Sequence, residues 1–392
     1  MDLSLLALLL TAGLASLFMA WVIGAGSSGA TPFAPAVGAN AISTMRAAFV
    51  VGVFGFLGAV VQGGNVSEAV GQGLVGGVTL PAAGVITVLL IGAGLMAVGI
   101  HTGYPIATAF TVTGAVVGVG LALGGTPVWA KYQQVGAVWL LTPVVGGGLA
   151  YGIASVLPRE DAPERVCVPA LAGLVGAVLA NVDFAGLGPA GAPGSVAGAA
   201  RRLLAPGSGL VPVAVTLGLA LAVAVLVHWD VSRDEAGGLR RVLLALGSLV
   251  AFSAGGSQVG LAVGPLLPLM DEVGAVTPAV VLAGGGAGIL VGSWTGAPRM
   301  IKALARDYSS LGPRRSIAAL VPSFLIAQTA VLLGVPVSFN EIVVSAIIGS
   351  GAAVGGSGAV SARKLLVTVG AWAGSFGLAF GLGYGAVTLS PL

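Results

Sequence analysis

Nine residues of this 392-residue chain pair hydrogen-bonding side chains with glycine- and proline-rich surroundings where apolar helices would otherwise run. Ser27, Ser28 and Thr31 stand in Ile23-Gly24-Ala25-Gly26-Ser27-Ser28-Gly29-Ala30-Thr31-Pro32-Phe33, and Ser257 and Gln258 stand in Ala254-Gly255-Gly256-Ser257-Gln258-Val259-Gly260. Thr108 follows Thr102-Gly103-Tyr104-Pro105-Ile106-Ala107, while Ser338, Asn340 and Glu341 follow Leu333-Gly334-Val335-Pro336-Val337. Hydroxyls and amides offer neutral donors to an anion without adding another buried charge. A loosened helix end adds bare backbone N–H groups and the positive end of the helix dipole. Taken singly, each Ser or Thr is equally well read as a back-bond to its own helix carbonyl.

The spacing argues for a shared role. Ser27 and Ser257 are 230 residues apart and Pro105 and Pro336 are 231 apart, so the two kinds of motif keep one register in both halves. Gly- and Pro-interrupted apolar segments at corresponding places of two halves point to the substrate site of a secondary transporter. The eight residues Ser27, Ser28, Thr31, Thr108, Ser257, Gln258, Ser338 and Asn340 are therefore the candidate substrate-binding set. Phe110 and Phe339 are read either as apolar walls of that site or as helix packing.

The elements that must position them are transmembrane helices. With 57% hydrophobic and 7% charged residues, against roughly 25% charge in soluble domains, the chain is expected to be all-α and polytopic, with about 10 to 12 crossings. Glycine, at 66 residues, permits close helix approach and broken segments. Spanning runs fall at 3–23, 46–62, 81–100, 133–156, 167–181, 209–228, 240–254, 275–296, 316–334 and 365–388. The first is read as a retained helix because it lacks a basic leader region. Residues 1–157 form a first repeat, 158–232 a linker with about two helices, and 233–392 a second repeat.

Polar loops separate these runs: Arg159, Glu160, Asp161, Glu164 and Arg165; a Pro/Gly-rich stretch from Asp183 to Leu210; Asp230, Arg233, Asp234 and Glu235; and the basic stretch from Arg299 to Arg315. The basic clusters fall on both sides of this span count, so orientation is not assigned. Inverted repeats need an odd number of crossings between equivalent points, and this count gives an even one. One interrupted segment is therefore expected to cross where it is drawn as re-entering. The single Cys167 and the two histidines give no metal-ligand cluster. His101 and His228 read as a helix-end and an interfacial residue, and Asn65-Val66-Ser67 as an accidental glycosylation match. No hydrolase elbow, Walker loop or zinc-protease motif is present, so no enzyme, cofactor or metal is expected, nor a nucleic-acid partner.

These motifs resemble the inorganic phosphate transporter family, which also includes sulfate permeases. That family carries Gly-Ala-Asn-Asp-Val-Ala-Asn-Ala early in each half and Gly-Leu-Pro-Val-Ser-Thr-Thr-His later. Here the early motifs stand as Ala25-Gly26-Ser27-Ser28-Gly29-Ala30-Thr31 and Gly255-Gly256-Ser257-Gln258-Val259-Gly260-Leu261, and the later ones as Gly103-Tyr104-Pro105-Ile106-Ala107-Thr108 and Gly334-Val335-Pro336-Val337-Ser338-Phe339. Ser28 and Gln258 replace the family's Asp, and Phe110 and Glu341 fall at the places of its His. The resemblance implies a multi-pass permease of the cell membrane, similar to the sulfate-permease-like members.

Sulfate is the favoured substrate on this reading, because phosphate carries protons that need an acceptor and the motif carboxylates are gone. Phosphate, coupled to sodium or protons, and a passive anion channel on the same scaffold are the alternatives. Moving a dianion inward against about 100 mV costs roughly 4.6 kcal/mol, at 2.3 per charge, so uptake needs co-transported cations. Glu341 is the candidate proton-coupling residue, since an ionised acid at mid-membrane costs roughly 2.5 to 3.5 kcal/mol and is functional by default. Its alternative role is capping a buried helix N-terminus. The expected partners are the anion, a proton or sodium ion, the lipid bilayer and, left open, a second copy of the chain.

Overall fold

A computed structural model describes residues 3–157, 164–189, 192–273, 276–355 and 361–390. The loop residues Arg159, Glu160 and Asp161 lie outside them. Apolar helices dominate because a chain in lipid must satisfy its backbone polar groups internally. In order they are α1 (Leu3–Gly26), α2 (Ala34–Gly38), α3 (Thr44–Gln62), α4 (Gly64–Gln72), α5 (Ala82–Thr102), α6 (Thr108–Ala122), α7 (Trp129–Val156), α8 (Glu164–Asn181), α9 (Val196–Leu204), α10 (Leu210–Arg233), α11 (Glu235–Val263), α12 (Leu267–Val273), α13 (Pro278–Thr295), α14 (Ala297–Arg306), α15 (Pro313–Leu332), α16 (Phe339–Gly355) and α17 (Ala362–Leu389). Two short antiparallel strand pairs, Val75–Gly76 with Thr126–Pro127 and Asp183–Phe184 with Gly194–Ser195, are the sheet among the described residues.

Ten helical segments are long and apolar enough to cross a membrane, and α6 and α16 are shorter apolar helices. The protein is a multi-pass membrane protein of the all-α class. α5 ends on Gly103 at φ +76 and α15 runs out to Gly334 at φ +57, the left-handed conformation in which glycine stops a helix without a Cβ penalty. Pro105 and Pro336 follow and hold the chain extended. It then turns back into α6 and α16.

These return legs are absent from the span list read off the sequence, and they restore the parity. With α6 counted, seven legs separate the start of α1 from that of α11. The halves consequently run in opposite senses. Arg240 of α11 donates to the Ala41 carbonyl just before α3, so α3 and α11 start at the same end, while α1 arrives there. α3 runs beside α11, α1 beside α13, α6 beside α17 and α7 beside α16, so each half wraps its helices around the other's.

The same correction gathers the basic residues. One on α3, one on α8, one on α10, two on α11, three on α14, two on α15 and two on α17 make twelve of the 16 Lys and Arg, all at one end of the molecule. Basic loops are retained on the cytoplasmic side of membranes. Omitting α6 and α16 from the count had flipped every cluster between them.

Small residues let the halves meet backbone to backbone. A methyl on Gly58 would lie 1.8 Å from the Phe252 carbonyl oxygen, and one on Gly255 would lie 1.8 Å from that of Gly55. Neither neighbour is a side chain that can swing away. Gly58→Ala and Gly255→Ala should each destabilise the protein by roughly 1–3 kcal/mol or prevent folding. Thermal midpoints in detergent measure this, and wild-type values would show that α3 and α11 are not in such contact.

Candidate functional site

The early arm of the first half is broken as its glycines suggest. α1 ends at Gly26, and the chain turns through residues 27–33 before α2. Within it Thr31 Oγ1 donates to the Ser27 carbonyl at 3.1 Å, a local back-bond, and Ser28 Oγ reaches the Ile23 carbonyl at 3.5 Å. The early arm of the second half differs. Gly255, Gly256, Ser257 and Gln258 lie inside α11, which stays helical to Val263. An unwound arm was expected at Ser257. The helix persists because Gly255 and Gly256 serve contact with α3, and the residue that removes a backbone donor, Pro265, comes only later.

The later arms open onto the N-termini of α6 and α16. First-turn N–H groups have no intrahelical acceptor, and helix N-termini carry partial positive charge. Thr108 is the first residue of α6 and its hydroxyl points at the Met96 sulfur, 3.4 Å away. Ser338 immediately precedes α16, and Asn340 and Glu341 sit in its first turn.

Side-chain amides tie the four arms together. Asn340 Nδ2 donates to the Gly26 carbonyl at 3.1 Å and to the Ile106 carbonyl at 2.7 Å, joining the later arm of the second half to both arms of the first. Gln258 Nε2 donates to the Val337 carbonyl at 2.5 Å, while its Oε1 accepts from Ser27 Oγ at 3.2 Å. Ser27, Gln258, Asn340 and the carbonyls of residues 26, 106 and 337 therefore form one junction. The eight predicted residues are all 0% exposed and Glu341 is 2% exposed.

Six of the eight expected donors are already engaged: Asn340 and Gln258 give their N–H groups to backbone carbonyls, and the hydroxyls of Ser27, Ser28, Thr31 and Thr108 donate to Gln258 Oε1, the Ile23 carbonyl, the Ser27 carbonyl and the Met96 sulfur. What stays without a protein partner is different: Ser257 Oγ, Ser338 Oγ, Asn340 Oδ1 and Glu341 Oε2. Each belongs to a tie residue or to its immediate neighbour. Of these four atoms, two are hydroxyls that can donate or accept and two are oxygens suited to accept. Of the acids among the described residues, only Glu164 and Glu341 are buried, and Glu164 is paired with Arg314.

Phe110 stacks on Trp139, with ring centroids 3.9 Å apart, so packing explains it; Phe339 is fully buried. His101 is exposed, His228 Nδ1 lies 2.6 Å from the Arg165 carbonyl, and Asn65 Nδ2 reaches the Val331 carbonyl at 3.5 Å. A second polar cluster was missed. Gln328 Nε2 donates to Gln62 Oε1 at 3.1 Å and to Ser253 Oγ at 2.7 Å, at the edge of a cavity of about 490 Å³ between α3, α8, α10 and α15. The signal was two glutamines near the ends of apolar helices, too sparse to link residues 266 apart.

The chain matches the model of the phosphate transporter family over residues 23–383. A provisionally named phosphate permease of Thermococcus kodakarensis is 27% identical, over 86% of this chain and 86% of that protein. The chloroplastic inorganic phosphate transporter 2-1 of Arabidopsis thaliana is 26% identical, over 91% of this chain and 67% of its own. Among solved structures, one described as the sodium-dependent phosphate transporter has the same fold, with a TM-score of 0.81 at 22% identity and 98% of each chain covered.

Replacing Asn340 by Leu orphans two buried carbonyls at roughly 1–3 kcal/mol each, whereas Ser338→Ala breaks no bond. Asn340→Leu should lower the thermal midpoint clearly and Ser338→Ala hardly at all. Equal effects would show that Asn340 does not tie the arms.

Proposed function

Because this chain belongs to the phosphate transporter family, we propose that it is a secondary transporter of a tetrahedral inorganic oxyanion, with phosphate as substrate, bound where the four arms meet. One observation carries the reading: the junction joins all four motif arms, yet leaves Ser257, Ser338, Asn340 Oδ1 and Glu341 Oε2 without protein partners. Phosphate near neutral pH has bare oxygens and one or two P–O–H groups, so it needs donors and acceptors together. The hydroxyls and the first-turn amides of α6 and α16 act as donors, and the Asn340 and Glu341 oxygens as acceptors.

Phosphate displaces sulfate, the preference drawn from the missing motif carboxylates. That preference assumed a site of donors only. With Asn340 turning its N–H groups to the backbone, its oxygen is left to accept a hydrogen bond from a P–O–H group, which sulfate lacks. The phosphate names of the relatives support the same choice, and a sulfate-permease subtype has no support among them. A site sealed from solvent also favours a carrier over an open channel.

Coupling falls to Glu341. It is the one buried acid without a basic partner among the described residues, and the charged groups of the helices packed on α16 are engaged elsewhere. Lys131 of α7 bonds the Gly334 carbonyl, and Arg314 and Arg315 of α15 bond Glu164 and Ser310. In this reading Glu341 crosses protonated together with the anion. The halves 1–157 and 233–392 are the units that move about the linker 158–232.

Uptake of labelled phosphate and sulfate into proteoliposomes, with sodium and pH set independently, tests both points. Phosphate should enter faster than sulfate and accumulate under an inward proton gradient without sodium; faster sulfate uptake would refute the substrate. A gradient of one pH unit corresponds to tenfold accumulation per proton, about 1.4 kcal/mol. Glu341→Gln should lose that tenfold while still exchanging substrate downhill, and an undiminished response to the gradient would exclude Glu341 as the proton carrier.

A further inference from the structure

The extended segments between helices expose backbone carbonyls deep in the protein, where an unpaired polar group is costly. In the first half the Gly103 carbonyl lies 3.4 Å from Lys364 Nζ, and the Pro105 carbonyl accepts the indole N–H of Trp372 at 2.8 Å. In the second half the Gly334 carbonyl lies 3.1 Å from Lys131 Nζ, and the Pro336 carbonyl accepts the indole N–H of Trp139 at 2.8 Å. The correspondence is complete. Lys131 and Lys364 are 233 residues apart, as are Trp139 and Trp372, and in each helix eight residues separate Lys from Trp. That spacing places both on one helix face, about two turns apart.

We propose that Lys131 with Trp139 on α7, and Lys364 with Trp372 on α17, are two equivalent clamps. Each is borne by one half, closes on the broken segment of the other, and positions the residues of the oxyanion site. The next carbonyl along each segment belongs to the site: Ile106 accepts from Asn340 and Val337 from Gln258. Holding Pro105 and Pro336 therefore fixes where Thr108 and Ser338 begin the helices that face the anion. The four are positioning residues, and they make the movement of one half felt in the other half's arm.

The clamps match at the indole hydrogen bonds, but Trp139 also stacks on Phe110 with ring centroids 3.9 Å apart, and the lysines differ. Lys364 is also 3.3 Å from Asp307 Oδ2 and sits 4.1 Å over the Tyr104 ring, whereas Lys131 has the neutral Gln134 Oε1 at 3.2 Å. The indole bonds are thus the paired, comparable contacts to test.

Hydrogen exchange on the full-length protein reads the clamps without reference to transport. Trp139→Phe should speed exchange of the amides at 335–340 and leave 104–108 as in wild type, and Trp372→Phe should do the reverse. In the uptake assay either change should raise the phosphate half-saturation concentration roughly two- to tenfold, the effect of one buried hydrogen bond. Should either Phe variant fold poorly, a benzothienyl-alanine at that position keeps the ring and removes only the donor. Exchange that rises in both segments together, or in neither, overturns the clamps. The kinetic arm rests on the transport reading. Wild-type protein that carries neither anion would refute that reading alone, leaving the exchange pattern to decide this one.

Discussion

The structure depends on the need to give every interrupted backbone carbonyl a hydrogen-bond donor where lipid and packed side chains exclude water. Breaking α5 from α6 and α15 from α16 leaves the carbonyls of Gly103, Pro105, Ile106, Gly334, Pro336 and Val337 outside any helix ladder. Lysine, indole and amide N–H groups receive them in matching order in the two halves. Asn340 and Gln258 are committed to this task, so the polar groups left without a protein partner beside it are the Ser257 and Ser338 hydroxyls, the Asn340 amide oxygen and Glu341 Oε2. The chemistry of the site is what remains after the backbone has been satisfied.

The same need explains the crossed architecture. A segment that reverses direction inside its own half leaves its carbonyls facing outward, toward whichever helix lies alongside. Because α7 lies beside α16 and α17 beside α6, that helix comes from the opposite half. The junction is then built by helices of two oppositely directed halves. The likeness of the halves fails at one telling place. The positions of Phe110 and Glu341 are 231 residues apart, equivalent by register, yet one bears a ring stacked on Trp139 and the other an acid without a basic partner.

Part of this junction was legible from residue types and register. Ser27, Gln258 and Asn340 were drawn from repeated glycine- and proline-interrupted motifs, and their hydrogen bonds bring the arms together. Thr31 forms the local back-bond that was its plainer reading, and Thr108 contacts a sulfur. The return legs α6 and α16 escaped because each is short and continuous in hydropathy with its surroundings, and α11 was expected to unwind because Gly255 and Gly256 look like a break. A glycine pair in lipid serves close packing as readily as it serves a break, and the linear chain does not say which. Lys131, Trp139, Lys364 and Trp372 belong to none of the motifs read from the sequence, and their partners lie about 200 or more residues away.

By itself, the sequence determined that this is an all-helical, multi-pass membrane protein with two related halves and interrupted motifs rich in neutral hydrogen-bonding groups. Those properties follow from local composition and register, which do not require knowing what touches what. Tertiary structure alone decided which donors were already engaged, where the chain turned back, and which end gathered the positive charge. Hydrogen-bond satisfaction in a dry interior is a property of pairs, and the partners here are supplied by the far half of the chain.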